Sequence, residues 1–164
     1  MINIVLIEPE IPQNAGNIMR SCAATGSKLF LVKPLGFDMS DKYYKRAGLD
    51  YHDLANVEVL DSFEELYDKN KDKTFYFAST KSPQNYTQVD YPDGCFIVFG
   101  KESYGIKESL LKAHYDNCVR IPMRPNIRSL NLATSVGIIL FEGLKKQGFP
   151  GLESTGKLTG RKED

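Results

Sequence analysis

Apolar residues arrive in short continuous runs along this chain, separated by stretches in which they recur with the helical period of about 3.6 residues. Ile2 to Ile7 reads as a buried strand and Ala15 to Thr25 as a helix. Leu29 to Val32 and Val57 to Leu60 read as further strands. Ser62 to Asn70 has the spacing of an exposed helix, with Glu64, Glu65 and Asp68 on its outer face. Thr74 to Ser79 and Cys95 to Phe99 return to strand, the second nearly all apolar. A short helix from Ile106 to Ala113, a strand from Cys118 to Ile121 and a long helix from Leu132 to Gln147 follow. Strands that are apolar throughout and alternate with helices predict an α/β fold, a mostly parallel sheet with helices on both faces.

Two stretches break the alternation. Thr80 to Gly94, with Ser82-Pro83, Asn85 and Pro92-Asp93-Gly94, predicts a long surface loop of the kind that serves as a lid. Gly151 to Asp164 is small, polar and charged, and predicts a flexible tail, which leaves residues 1–150 as a single domain.

The two long helices carry more information than their lengths. In the first, Asn14 is placed to cap the opening amides, Pro12 to fix the approach and Gly26 to end the helix. Ala15, Ile18 and Cys22 share one side, and Asn17, Arg20, Ser21 and Ala24 another. Arg20 and Asn17, beside Asn14, would form a polar edge above the C-terminal end of the first strand, where open α/β sheets bind ligands. A salt bridge from Arg20 to Glu8 or Glu10 is an equally open reading. In the last helix, only Thr134 and Ser135 are polar between Leu132 and Phe141, and Gly137 would allow close approach. A helix apolar almost all round must be covered on more than one side. In so short a chain this predicts a second subunit.

Length and composition narrow the class. A chain of 164 residues suits one domain able to bury about 70% of its unfolded surface. Hydrophobic content of 41% with 26% charged residues is that of a water-soluble globular protein. No apolar run reaches about 18 residues, so no membrane-spanning helix is expected. MINIVLIEPEIP has no basic opening and meets acidic residues early, so the expectation is cytoplasmic residence. Cys22, Cys95 and Cys118 are odd in number and lie in apolar contexts, which predicts buried reduced thiols. His52 and His114 have no partner at a metal-ligand spacing, so no metal site is expected. Lys and Arg number 21 against 21 Asp and Glu, so no global field draws a polyanion. Local clusters exist at Lys42, Lys45 and Arg46, at Arg120, Arg124 and Arg128, and at Lys145 and Lys146; taken alone, each suits a solvated face better than a nucleic-acid patch.

Three segments carry the candidate chemistry: EPEIPQNAGNIMR (Glu8 to Arg20), FGKESYG (Phe99 to Gly105) and IPMRPNIRSLNLA (Ile121 to Ala133). Each puts glycines, prolines and uncharged polar residues where a strand ends or a helix begins, where backbone amides are free to hold a ligand. FGKESYG is not a nucleophile elbow, because Lys101 stands two before Ser103 where glycine is required. It is not a P-loop, because Ile106 follows Gly105. GLESTGKL (Gly151 to Leu158) ends in Leu158 where a magnesium-binding hydroxyl is needed. PEIPQNAGN lacks the Rossmann glycine fingerprint, which sets aside a nicotinamide dehydrogenase. What remains is a ligand bound mainly by backbone, and few cations face it, so adenine and ribose suit it better than a triphosphate.

NAGNIMR, PLGF with RAGLDYH (Pro34 to Phe37, Arg46 to His52), FGKESYG and IPM...RSLNL together resemble the SPOUT methyltransferases, from Ile2 to about Pro150. RAGLDYH narrows the resemblance to the small bacterial subfamily of tRNA (cytidine(34)-2'-O)-methyltransferases, which carry no extra RNA-binding domain. The resemblance implies a deep trefoil knot in the C-terminal part, against the general rule for chain topology. It also implies an obligate homodimer and S-adenosyl-L-methionine lying bent in the knot. Carried over residue by residue, the cofactor contacts fall near Ala78, Gly100, Ile121 and Ser129, with Glu102, Met123 and Leu130 adjacent. The implied partner is the anticodon region of tRNA. The implied reaction moves a methyl group to the ribose 2'-hydroxyl of the wobble nucleotide, cytidine 34, with a modified uridine 34 as the second candidate.

Asn14 and Arg20 match the family's first catalytic motif, and Ser129 and Asn131 its last. A guanidinium keeps its proton above about pH 12. The resemblance implies this arginine as the base; the alternative is that Arg20 binds the adjacent phosphate and polarises the hydroxyl, while Asn131 and Ser129 orient it. The chain departs from its relatives at Phe141, where some carry tyrosine, and at Lys101 and Tyr104, where proline and arginine are common. These departures are expected to alter RNA contacts more than methyl transfer. Two rival readings remain: the same fold acting on another RNA such as ribosomal RNA, and a non-catalytic RNA-binding dimer.

Overall fold

The computed structural model describes residues 1–42, 46 and 56–160. Lys45, His52 and all of the RAGLDYH segment except Arg46 lie outside the described residues. Among the described residues, six strands form one sheet in the order β3-β2-β1-β5-β4-β6, and every pairing of these strands is parallel. They are β1 (Asn3–Ile7), β2 (Lys28–Val32), β3 (Asn56–Leu60), β4 (Phe75–Ala78), β5 (Phe96–Phe99) and β6 (Cys118–Val119). Among the described residues, the helices that pack on the sheet are α1 (Pro12–Thr25), α2 (Phe63–Lys69), α3 (Glu108–Ala113) and α4 (Leu132–Lys146).

The alternation of side chains along each strand divides the core in two. Ile4, Leu6, Leu29, Leu31, Ile97 and Phe99 face the layer built by α1 and α4. Val5, Phe30, Val32, Phe96 and Val98 face the opposite layer, under α2 and α3. A period of two with both faces apolar is what a parallel sheet covered on both sides requires. The edge strand β3 is different. Its residues are largely exposed, and Lys28 and Lys33 pair with Glu58 and Asp61 at 2.6 and 2.9 Å along that side. Charges on an edge discourage pairing with another sheet.

The first helix begins earlier than the pattern predicted. Pro12 occupies its first turn, where a missing N–H costs nothing, and Ile11 holds the extended N-cap position without a side-chain cap. Asn14 therefore lies inside the helix, buried, and does not cap it. Gly26 ends α1 as expected, at φ 68°, and the amide of Ser27 closes back on the Cys22 carbonyl at 2.9 Å.

The stretch from Thr80 to Gly94 is a strap, not a lid. A short 3-10 turn (Tyr86–Gln88) is held by a capping box on Asn85. Tyr91 is 1% exposed, and its hydroxyl donates to the Tyr86 carbonyl at 2.7 Å. Lys146, at the end of α4, donates to the carbonyls of Thr87 and Val89 at 2.6 Å each. Lifting the strap would expose a buried aromatic ring, at a transfer cost of about 1.5–3 kcal/mol. Gly143 makes the fit possible, since a Cβ there would stand 2.6 Å from Ile2 Cδ1 and 3.2 Å from the Tyr91 ring.

On α4, Val136, Ile139, Leu140, Gly143 and Leu144 are buried, while Phe141 remains 49% exposed. The close approach expected at Gly137 does not occur among the described residues: a Cβ there would meet nothing within 4 Å. Cys22, Cys95 and Cys118 are free thiols and all buried. Among the described residues, no helix is long and apolar enough to cross a membrane. Residues 153–160 are exposed and without regular structure, and Leu152 packs against the main core.

Candidate active site

The sheet order reverses beside β1, so the segments that leave β1 and β5 part in opposite directions and open a crevice at the strands' C-terminal ends. There the structure forms a cavity of about 540 Å³. Its walls are the ends of β4, β5 and β6 and the first turn of α4. Of the residues expected to act on a cofactor, Ala78, Gly100, Glu102, Ile121, Met123, Ser129 and Leu130 all line it. Asn14 and Asn131 line it too. Arg20 does not. It is exposed on the outward side of α1, in line with Asn17 and Ala24, and it makes a contact of its own. The two carboxylates that could have paired with it are engaged elsewhere.

Those carboxylates form a clamp. Glu8, in the left-handed region at φ 52°, receives Lys101 Nζ at 2.8 Å, with Lys107 at 3.7 Å. Glu10 accepts from both the amide and the hydroxyl of Ser103, each at 2.8 Å. The turn reciprocates through Glu102, whose Oε2 accepts from the Glu10 amide at 2.7 Å and whose Oε1 accepts from the Ile11 amide at 3.1 Å. Glu102 thus sets an anion on the two amides that lead into α1, beside the positive end of its dipole. The lysine beside Glu8 holds that carboxyl below its usual range, and the Ser103 bonds do the same for Glu10. Gly100 lets the turn fold back on itself, because a Cβ there would stand 2.0 Å from the Gly105 carbonyl carbon.

A polar relay runs from this clamp to α4. Asn14 Nδ2 donates to Glu102 Oε1 at 3.0 Å, and Asn14 Oδ1 accepts from Asn131 Nδ2 at 2.9 Å. Asn131 Oδ1 then caps α4 by accepting from the Thr134 amide at 3.2 Å. A carboxylate can only accept and a backbone amide can only donate, so both ends dictate how the two side-chain amides are turned. One hydrogen of each side-chain amide remains for a ligand. The relay welds the N-termini of two helices across the cavity mouth.

The remaining wall is open backbone. Met123, Ser129 and Leu130 make no backbone hydrogen bond among the described residues. No protein group among them engages the Ser129 hydroxyl. Ile121, Met123, Leu130 and Leu132 give this wall an apolar surface. An apolar slot edged by free amides and carbonyls fits a flat heterocycle with a ribose, and so fits the adenosine half of S-adenosylmethionine. Glu102, expected beside the cofactor, spends its oxygens on the clamp instead.

Sequence reasoning missed the clamp. Glu8 and Glu10 were visible only as neighbours of Arg20, and Lys101 and Ser103 only as failed motif positions. The signal that could have found them is complementarity: two acids flank the end of β1, and a cation, a hydroxyl and a third acid follow β5, the strand that an α/β order sets beside it.

Comparison with known proteins agrees with this geometry. The model of the SpoU rRNA Methylase family matches residues 1–141. A protein of Listeria innocua serovar 6a, provisionally named a tRNA (cytidine(34)-2'-O)-methyltransferase, is 46% identical, over 92% of this chain and 90% of its own. A structure solved for the 2-OH methylation of C/U34 on tRNA superposes with a TM-score of 0.86 at 37% identity, covering 90% of this chain and 97% of that one. The SpoU methyltransferase AviRb from Streptomyces viridochromogenes, solved with AdoMet, shares the fold with a TM-score of 0.80 at 21% identity, over 88% of this chain and 60% of its own. With a parallel sheet of this order, a cavity at its strand ends and a family match over most of its length, the chain belongs to the SpoU rRNA methylase family.

Proposed function

We propose that this protein methylates the ribose 2'-hydroxyl of nucleotide 34 in tRNA, with S-adenosylmethionine as methyl donor. The observation that carries the reading is the Asn14–Asn131 contact, 2.9 Å, between two residues that line a cavity of about 540 Å³ at the strand ends. The names of the relatives that cover nearly the whole chain support the choice of substrate. When bound, S-adenosylmethionine supplies a methyl group already activated by its sulfonium.

The chain's own residues then have to place the hydroxyl. Ile121, Met123 and Leu130 hold the heterocycle, and the open amides of Met123, Ser129 and Leu130 satisfy its edge. The Ser129 hydroxyl and the spare hydrogen of Asn131 Nδ2 orient the ribose oxygen. Such alignment is worth about 7–11 kcal/mol in favourable cases. Glu102, with both oxygens taken, is a positioning residue and does not accept the proton. Arg20 binds the neighbouring phosphate and polarises the hydroxyl.

Arg20 lies outside its own chain's cavity, and α4 leaves Phe141 and Gly137 uncovered. Both features support a homodimer in which Arg20 serves the partner's cavity. The Arg128 tie to Ser103 holds residues 121–131 against the 100–105 turn, a proximity compatible with the knot that the family resemblance implies.

The test is incorporation of labelled methyl groups into bulk tRNA that lacks wobble methylation, with the labelled nucleotide mapped. Label at position 34 in an alkali-resistant linkage is the expected result. Label in ribosomal RNA alone would move the activity to another substrate, and no label in either would leave a binding dimer. Mixing Arg20→Ala protomers with Asn131→Ala protomers should restore part of the activity if Arg20 acts across the interface.

A further inference from the structure

We propose that Tyr104 is a stacking platform for a base of the RNA loop whose ribose enters the cavity, and that Arg128 holds the phosphate beside it. The inference rests on the methyl-transfer reading of the cavity and adds how its RNA is gripped.

Tyr104 lines the rim of the cavity and is 86% exposed. An aromatic ring left in water is common on a loose loop, but this one stands on a rigid turn. The Gly105 amide closes on the Lys101 carbonyl at 2.8 Å, with Gly105 in the left-handed conformation at φ 71°. Glu8 and Glu10 grip the turn from one side, and the Arg128 guanidinium donates to the Ser103 carbonyl from the other. The ring is therefore presented at little cost in backbone ordering, and its own chain gains nothing from burying it.

The charge around it is selective. From Asn117 to Phe141 the chain carries Arg120, Arg124 and Arg128 and no acidic residue. None of these arginines lies within 4 Å of a carboxylate among the described residues. Arg120 and Arg128 instead donate to neutral carbonyls, those of Thr80 and Ser103. Of the three, Arg128 lines the cavity, so a guanidinium with no carboxylate partner among the described residues stands against the turn that carries a bare aromatic face. An aromatic ring for a base and a guanidinium for a phosphate are the two parts of single-strand RNA recognition.

The experiment measures binding of a synthetic tRNA anticodon stem–loop carrying cytidine 34 to the full-length protein and to its Tyr104→Leu and Tyr104→Phe variants. Loss of stacking should weaken the leucine variant roughly 5- to 150-fold, while the phenylalanine variant binds like wild type. Affinity for S-adenosylmethionine and melting temperature should stay unchanged in both. Stem–loops abasic at single positions identify the base: at the stacked position, wild type and Tyr104→Leu should bind equally. Equal binding of the intact stem–loop by Tyr104→Leu and wild type would overturn the proposal. So would a leucine penalty that survives every abasic replacement, or a change in the variant's sedimentation showing that the ring is a subunit contact. Failure of the wild-type protein to methylate any tRNA would overturn the reading of the cavity itself, and it is a separate result from the binding comparison.

Discussion

Removing Glu102 should loosen the cavity without touching a ligand. Its carboxylate accepts from the Glu10 amide at 2.7 Å, the Ile11 amide at 3.1 Å and Asn14 Nδ2 at 3.0 Å. Hydrogen bonds to a charged group contribute about 1.5–3 kcal/mol when shielded. This site is partly exposed, so water replaces much of the loss, and about 1 kcal/mol for each of the two better-shielded bonds is the appropriate scale. An anion on a helix N-terminus adds about 0.5 kcal/mol. Glu102→Ala should therefore cost about 2.5 kcal/mol, a fall in melting temperature of about 5–10 °C for a chain of this length. Glu102→Gln tests the reason. It keeps shape and packing but offers one acceptor oxygen where three donors converge, so it should lose at least half as much. Thermal unfolding at fixed protomer concentration, because association would shift the midpoint, together with calorimetric titration of S-adenosylmethionine, reads both consequences. A glutamine variant that melts within 1 °C of wild type (about 0.3 kcal/mol) and binds the cofactor equally would refute the acceptor role.

Other outcomes follow from the same geometry. Asn14→Asp should be more damaging than Asn14→Ala, because it sets a second carboxylate against Glu102 where Nδ2 now donates; activity and melting temperature of the pair check this. Glu8 titrates below its ordinary value of 4.5, so its stabilising contribution is complete above that pH and is lost as the pH falls further. The acid-side decline in melting temperature should accordingly be shallower in Glu8→Gln, by less than about 1 kcal/mol, since the pair is near the surface. Burial pushes the thiols of Cys22 and Cys95 up to about 12, and that of Cys118 upward as well. A disulfide reagent at pH 8 should therefore react at the rate of unfolding and not at that of a free thiol; fast stoichiometric labelling of the native protein would contradict the packing.

Much of the fold was legible along the chain, because the information is local. Continuous apolar runs mark strands buried on both faces, and Gly26 and Ser62 mark where helices end and begin, whatever surrounds them. The residues of the cavity wall were legible for the same reason: Gly100, Ile121 and Ser129 sit where strands and turns must stop. Partnership was not legible, since it is settled by which distant segments a sheet order brings together. Asn14 reads as a cap from its neighbours, but the carboxylate that holds the entry to α1 comes from Glu102, 92 positions beyond Glu10 in sequence. Thr80 to Gly94 reads as a mobile loop from its prolines and glycine, yet Tyr91 anchors it because Gly143 leaves a place for the ring. The sequence alone determined the elements, the family and the wall of the site. Only the tertiary structure decided that three acids after β1 and β5 clamp each other's loops, because hydrogen bonds form between neighbours in space and the pattern of a chain records only neighbours in order.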